Sequence, residues 1–471
     1  MERVKWDFTL RIKGGLMAKV LANTKKVGIV IPVYNTPLEY FRASIEGALN
    51  QDYKNLEIML VHDGNYTPCV EVSLEYARKD PRITVVIKPM NEGVAIARNI
   101  GIDYFSGILN CKENQDVQVG EELVGFYVES DNPYGIGTIY KNKAGLSKTK
   151  KLIPLKIDYI YFLDSDDVCH KDLVSSCLKH AKGANIVWFN FNKIGDDTLL
   201  HLSEHIREEL DFLNSSRLAT SKDWLQHSKE AGYGTLIFVW QVLIDFKFLQ
   251  NSRLRFLNQV MREDNLFGIC LLLECETMYL LPKKLIDYRV RTNGETNFAS
   301  DEQNVFLPGF LRPLYDALGG DLLLTKHFYV ALSWFIQKLY FVDFIQKYAQ
   351  EPNIDVIING MLNRFRNETM KFIHLQFRLD TDYYFDTCFN IFLSYIEELP
   401  NYDAYYRPFD AIGEYITPNG NLRQQTIHFI KEVLLYEDSI IIGKNKTIEE
   451  LTKRIKELET KNTELKAKLG K

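Results

Sequence analysis

The chain has little of what marks the specialised protein classes. Proline and glycine number 14 and 27 among 471 residues, too few for a collagenous or disordered polypeptide. The seven cysteines (Cys69, Cys111, Cys169, Cys177, Cys270, Cys275 and Cys388) form no C-x-x-C pair, and an odd, irregularly spaced set is not a disulfide framework, so a reducing compartment fits best. No dense block of one charge is present: 57 Lys plus Arg oppose 62 Asp plus Glu, a net of −5, which argues against nucleic acid as a partner. Long hydrophobic runs are missing too. The longest apolar stretch, Leu236 to Leu249, is interrupted by Gln241, Asp245 and Lys247, and the opening MERVKWDFTLRIKGG puts charges where a signal peptide needs its apolar core. No bilayer span is expected, which leaves only peripheral membrane contact. What remains is a globular composition, 46% hydrophobic and 25% charged, long enough for two or three packed units at ~100–200 residues each.

From Lys25 onward short β-branched runs alternate with stretches of helical period. Val27–Val33 (VGIVIPV) reads as a buried strand, followed by Thr36 as a helix N-cap, Pro37 at the first helical position and an apolar face of Phe41, Ile45, Ala48 and Leu49. Leu56–Val61 and Arg82–Ile87 read as further strands, Val72–Lys79 and Val94–Tyr104 as helices, and Tyr159–Leu163 and Asn185–Phe191 as two more strands. Runs apolar on both faces predict an α/β fold with a mainly parallel sheet between helices. Residues 106–157 break the rhythm and read as an insertion, with Phe126–Glu129 and Thr138–Tyr140 flanking a hairpin turn. Beyond about residue 300 the strand pattern gives way to aromatic-rich helical stretches such as His327–Phe344 and Tyr383–Leu399, which predicts an α-helical domain over 301–443. At the end of the chain Ile448, Ile455, Asn462 and Leu469 fall at a positions, and Leu451, Leu458 and Leu465 at d positions. That pattern predicts a coiled coil over 444–471 and a homodimer built through it. A single helix packed on its own body is the alternative.

The strongest chemical signal is Tyr159-Ile-Tyr-Phe-Leu-Asp-Ser-Asp-Asp167, an apolar strand running into three carboxylates. At the carboxyl end of a parallel strand, Asp164 and Asp166 are placed to hold a hard divalent cation (Mn²⁺ or Mg²⁺) against a diphosphate. The plain alternative is an acidic turn in which Asp167 caps a helix over Val168–His180. Strand one ends in Pro32-Val-Tyr-Asn35, strand two in Val61-His-Asp-Gly-Asn65, and the helix at 94 belongs to Asn91-Glu-Gly-Val-Ala-Ile-Ala-Arg-Asn-Ile-Gly101. Polar residues therefore gather at one edge of one sheet. A further pattern, His201-Leu-Ser-Glu-His205, fits the H-x-x-E-H of zinc peptidases, but its charged setting and the lack of a third ligand make it weak.

In this order the blocks resemble glycosyltransferase family 2, whose nucleotide-sugar domain has the GT-A fold; the match runs over roughly 25–105 and 158–298, within a transferase domain of 25–300 that follows an N-terminal extension of 1–24. The resemblance implies that Pro32, Val33 and Tyr34 line a nucleobase pocket and that Asp63 bonds the base edge. It also implies that Arg98 lies near the nucleotide, that Asp164 touches ribose or metal, and that Asp166 ligates the metal. A helix-surface ion pair is the plain alternative for Arg98. Trp240-Gln-Val-Leu and Met261-Arg-Glu-Asp-Asn-Leu-Phe267 resemble the acceptor-side segment. There Asp264 is the expected catalytic base and Trp240 and Glu263 are candidate acceptor contacts, while Arg289 and Arg291 match a loop that covers the diphosphate. Three departures stand out: His62 where the family often has an acid, Thr36-Pro37 where another acid is common, and the long span between Arg98 and Asp164.

The implied activity is inverting transfer of a hexosyl or N-acetylhexosaminyl group from a nucleotide sugar, a UDP-sugar first, to a hydroxyl of a glycan or lipid-linked acceptor. The implied setting is bacterial surface polysaccharide or lipopolysaccharide synthesis at the cytoplasmic face of the membrane. A non-catalytic dimeric scaffold with a degenerate nucleotide-sugar domain is the competing reading. Nucleotidyl transfer is disfavoured, because Pro32-Val-Tyr-Asn is not a Gly-rich phosphate loop.

Overall fold

A computed structural model describes residues 25–368, apart from 65–66, 115–119, 130–131, 147–151, 153–155, 196–210, 233–237, 292–306, 308, 349, 362–363 and 365–366. All of these lie in the first of the chain's two units, residues 1–388. The N-terminal extension, the His201–His205 motif, the 383–399 helix and the C-terminal coil lie outside the described residues.

The strands β1 (Val27–Val33), β2 (Leu56–Asp63) and β3 (Ile83–Lys88) are buried almost throughout, as β-branched runs covered on both faces must be. They pair in parallel, and β7 (Tyr159–Phe162) pairs in parallel with the other side of β1. Parallel neighbours need crossovers, supplied here by α1 (Leu38–Leu49), α2 (Thr67–Lys79) and α3 (Val94–Phe105). The last of these lies close on the sheet. A Cβ on Gly101 would stand 2.5 Å from the side chain of Val30, so only glycine permits this approach of helix to strand.

Only this centre is wholly parallel. Beyond β3 the sheet continues with β6 (Thr138–Asn142), β5 (Leu123–Val128) and β4 (Cys111–Glu113), all antiparallel. Beyond β7 come β11 (Val242–Asp245), β9 (Ile186–Gly195), β12 (Met278–Val290) and β10 (Arg217–Ala219), with the two-residue β8 (Val168–Cys169) on β12. Of these only β9 and β12 run parallel to each other. The expected insertion is therefore a three-stranded extension of the sheet. It is joined to the parent strands through a buried ion pair: Lys141 of β6 meets Glu57 of β2 and donates 3.0 Å to Thr84 of β3. Its hairpin turn reaches back as well, where the Tyr134 hydroxyl donates 2.5 Å to Asp103 of α3.

Two local expectations are corrected. Thr36 is not the cap of α1, which begins at Leu38 after Pro37; its hydroxyl shares a 2.6 Å hydrogen bond with Ser165 instead. Val168–His180 is not one helix but β8 followed by the short α4 (Leu173–Leu178). Asp167, just before β8, accepts 2.7 Å from the backbone N–H of Arg289 in β12. Further helices include α5 (Ser221–Ala231), α6 (Phe246–Ser252), α7 (Glu263–Glu274), α8 (Arg312–Ala317) and α9 (Leu322–Ile345), the last spanning the expected His327–Phe344. Among the described residues no helix is long and apolar enough to cross a membrane.

His62, the departure in strand two, is buried between the sheet and its helices, with Nε2 2.7 Å from Ser73 Oγ and the ring edge-on to Phe41. Burial lowers its pKa to about 3. The unfolded chain then takes a proton near pH 6.5 that the folded chain refuses, so this contribution to stability is full above that pH and is lost as pH falls towards 3. Between pH 6.5 and 5 the loss is about 2 kcal/mol. Urea unfolding of His62→Gln should show that much less acid sensitivity than the parent chain over this interval; an equal slope would refute the assignment.

Candidate active site

The carboxyl ends of β7, β1, β2 and β3 open on one edge, and their register sets what faces what. Val30 is aligned with Phe162 and Val33 with His62, so Pro32 stands level with Asp164 and Tyr34 with Asp63. Two strand spacings, about 10 Å, separate the two aspartates laterally. Asp63 is 2% exposed and organises the turn into α3: it accepts from Asn91 Nδ2 (2.9 Å) and from the backbone N–H groups of Glu92 (2.9 Å) and Gly93 (2.6 Å). Burial pushes its carboxyl up to about 6 against the pull of those donors. Gly64 adopts φ +107, and a Cβ there would lie 3.4 Å from the ring of Tyr34, which packs beside the turn. Pro32 and Val33 are buried and Tyr34 is half-buried.

The turn after β7 is fixed from three directions. Ser165 bonds Thr36 at the end of β1, Ser44 Oγ of α1 donates 3.1 Å to the carbonyl of Asp164, and Arg289 Nε donates 2.9 Å to the carbonyl of Asp166. The Asp164 and Asp166 side chains keep 27% and 16% of their surface. Burial raises the pKa of Asp166; Arg291, 2.6 Å away, opposes the rise and Asp164 adds to it. The pKa of Asp167 is pushed well above the ordinary range by burial and by its two acidic neighbours. Oxygen donors with an excess of negative charge suit a hard cation such as Mg²⁺ or Mn²⁺. Among the described residues no three His, Cys, Asp or Glu side chains converge as a closed cage. Both aspartates are half-buried and already paired, Asp164 with Arg98 and Asp166 with Arg291.

Arg98 joins this turn to the start of α7. Its Nη2 donates 2.8 Å to Asp164 Oδ1 and its Nη1 2.5 Å to Glu263 Oε1, while the guanidinium lies 5.2 Å over the ring of Phe256. At 4% exposure it is neither on a helix surface nor open to solvent. Burial works against its charge, yet Asp164, Glu263 and Asp264 together hold its pKa above the usual value. An ion pair, the plain alternative for Arg98, is therefore present, but it is buried and made with acids distant in sequence. Glu263, a candidate acceptor contact, is taken up by this pair.

Asp264 sits in the first turn of α7. Oδ1 accepts 2.9 Å from the N–H of Asn265, and the residue is only half-buried. Burial raises its pKa and Asp164 adds to the rise, whereas Arg98 and Arg262 pull it down. Arg98, bonded to Asp164 and to Glu263, brings the turn after β7 to the residue next to Asp264 in the chain. Trp240 is 4% exposed and stacks on Tyr288, ring centres 4.6 Å apart, as part of the hydrophobic core. Arg289 lies 4.0 Å over the ring of Tyr40, and its neighbour Arg291 holds Asp166. Asn99 was overlooked in sequence although it follows Arg98: its amide donates 2.8 Å to the carbonyl of Phe256 and accepts 2.9 Å from the N–H of the same residue. Its place in the Ala97-Arg98-Asn99 block was the available signal.

In sequence the chain is similar to known glycosyltransferases. The chain shares 29% identity over 153 residues with an uncharacterised glycosyltransferase of Haemophilus influenzae, covering 31% of this chain and 59% of that one. It shares 24% over 331 residues with the minor teichoic acid biosynthesis protein GgaB of Bacillus subtilis, covering 64% of this chain and 34% of that one. It thus spans less than two thirds of the length of these relatives. A structure of S. aureus TarS 1-349 in complex with UDP-GlcNAc aligns over 83% of this chain and 92% of that one, at 13% identity and a TM-score of 0.41, a likeness too distant to carry weight. Residues 28–109, a span that holds β1, the Asp63 turn and Arg98, match the model of glycosyl transferase family 2.

Proposed function

We propose that the chain is an inverting, metal-dependent glycosyltransferase that moves a hexosyl or N-acetylhexosaminyl group from a nucleotide diphosphate, UDP first, to a hydroxyl of a glycan or lipid-linked acceptor. The observation that carries this reading is Arg98. By pairing with Asp164 on one side and Glu263 on the other, it supports a single site in which the donor turn faces the expected base.

Pro32, Val33 and Tyr34 form one wall for the nucleobase, and Asp63 shapes its floor through the 91–93 turn. Asp164 and Asp166 would hold the metal, which when bound neutralises the leaving diphosphate. Arg289 and Arg291, already at that turn, add positive charge beside it. As the acceptor oxygen bonds to the anomeric carbon, the bond to the diphosphate breaks and Asp264 takes the hydroxyl proton. Attack opposite the leaving group inverts the anomeric centre. The resemblance to GgaB supports a place in assembling a bacterial surface polysaccharide, with the acceptor met at the cytoplasmic face of the membrane.

A donor screen tests the reading: incubate the chain with Mn²⁺ and single UDP- or GDP-sugars and follow slow hydrolysis. One donor should be cleaved fastest, and EDTA should weaken binding of its nucleotide at least about tenfold by calorimetry. Nucleotide binding indifferent to metal, with no hydrolysis, would leave the chain a degenerate platform.

A further inference from the structure

The helix α9 lies after residue 300, beyond the blocks that resemble the family, and nothing in its sequence points to chemistry. It nevertheless holds one peptide unit just ahead of the expected base. Ser333 and Gln337 are four residues apart and share one helix face; they are 1% and 0% exposed. The N–H of Met261 donates 3.0 Å to Ser333 Oγ, and Gln337 Nε2 donates 2.8 Å to the carbonyl of Met261. Both polar groups of that residue's backbone are thereby fixed by one helix.

The segment so held needs an outside hold. Gln259 and Arg262, on either side of Met261, adopt left-handed φ of 53° and 61°, a conformation that costs a non-glycine residue roughly 1–2 kcal/mol. Arg262 is the residue from which α7 starts, so its dihedrals aim Glu263 and Asp264. At the other end of the segment Asn99 of α3 grips Phe256. The loop is thus pinned on one side by the family block and on the other by α9.

We propose that Ser333 and Gln337 are positioning residues, which lock Met261 and the left-handed Arg262 so that Asp264 meets the acceptor hydroxyl in line. The proposal rests on Asp264 being the base and gives the helical region after residue 300 a part in catalysis. Displacing a reacting group by about 1 Å costs up to a hundredfold in rate, while a loop shift that spares the donor turn leaves nucleotide affinity unchanged.

The test uses the full chain, the donor it hydrolyses fastest with Mn²⁺, and four variants: Ser333→Ala, Gln337→Met, Ser333→Thr and Asp264→Asn. Ser333→Ala and Gln337→Met should each lower kcat for hydrolysis about tenfold or more with nucleotide Kd within twofold. Exchange of the Met261 amide with deuterium should quicken in Ser333→Ala, and Ser333→Thr, which keeps the hydroxyl, should restore both. If Asp264→Asn is inactive while Ser333→Ala and Gln337→Met keep kcat within twofold, the positioning role is wrong and the base assignment stands. Full activity of Asp264→Asn would instead overturn the base assignment, and this proposal with it. Loss of nucleotide binding in step with kcat would also refute positioning, because α9 would then be supporting the whole site.

Discussion

Asp264→Asn is expected to lower sugar transfer by about a thousandfold, within the range removed with a general base, while nucleotide binding stays within about twofold. Asparagine retains the Oδ1 that accepts from Asn265, so the start of α7 is preserved, and Arg98 keeps both of its acid partners. What disappears is the proposed proton acceptor. The base acts only when ionised, so the parent rate rises with pH through the pKa of Asp264, which burial places above the usual carboxylate value. Residual activity of the variant should lack that limb. A variant within tenfold of the parent, or one retaining the same limb, would remove Asp264 from the mechanism. Comparing kcat across pH 4–8 with one donor decides the matter.

Arg98→Met should be the most destabilising single change in the site. It removes a guanidinium that is 4% exposed and leaves Glu263, 6% exposed, and the partly covered Asp164 without their cation. Breaking a buried pair from one side costs about 3–5 kcal/mol, mostly the penalty of the stranded charge. Adding Glu263→Gln should recover part of it, since the second change removes one of the charges left behind. Arg98→Lys should fall between, because one ammonium replaces a rigid fork that reaches two acids at once. Urea unfolding of the four chains measures this, and a loss under about 1 kcal/mol for Arg98→Met would show that the bridge does not matter to the fold.

The central strands were legible because their signal is local. Val27–Val33 reads as buried on both faces and is so, and the hairpin of the insertion was marked by turn residues between two short β-branched runs. The outer strands were harder to read. The run after Asp167 looked like one helix, but β12 captures Val168 and Cys169 as a short strand, a pairing made with residues more than a hundred positions away. Thr36 looked like a cap and bonds Ser165 instead, for the same reason. In both cases a distant partner offered the backbone or hydroxyl a better bond than its local neighbours did.

By itself the sequence determined which acids and arginines are available, that 159–162 ends in a carboxylate turn, and that residues 28–109 carry the marks of one enzyme family. Only the tertiary structure decided which of those charges meet. Arg98 and Glu263 are 165 positions apart, and no periodicity encodes a contact set by strand order and by how α3 and α7 lie against the sheet. The hold of α9 on Met261 is of the same kind. A serine and a glutamine buried in a helix look like ordinary polar residues until the backbone they bind is brought to them by folding.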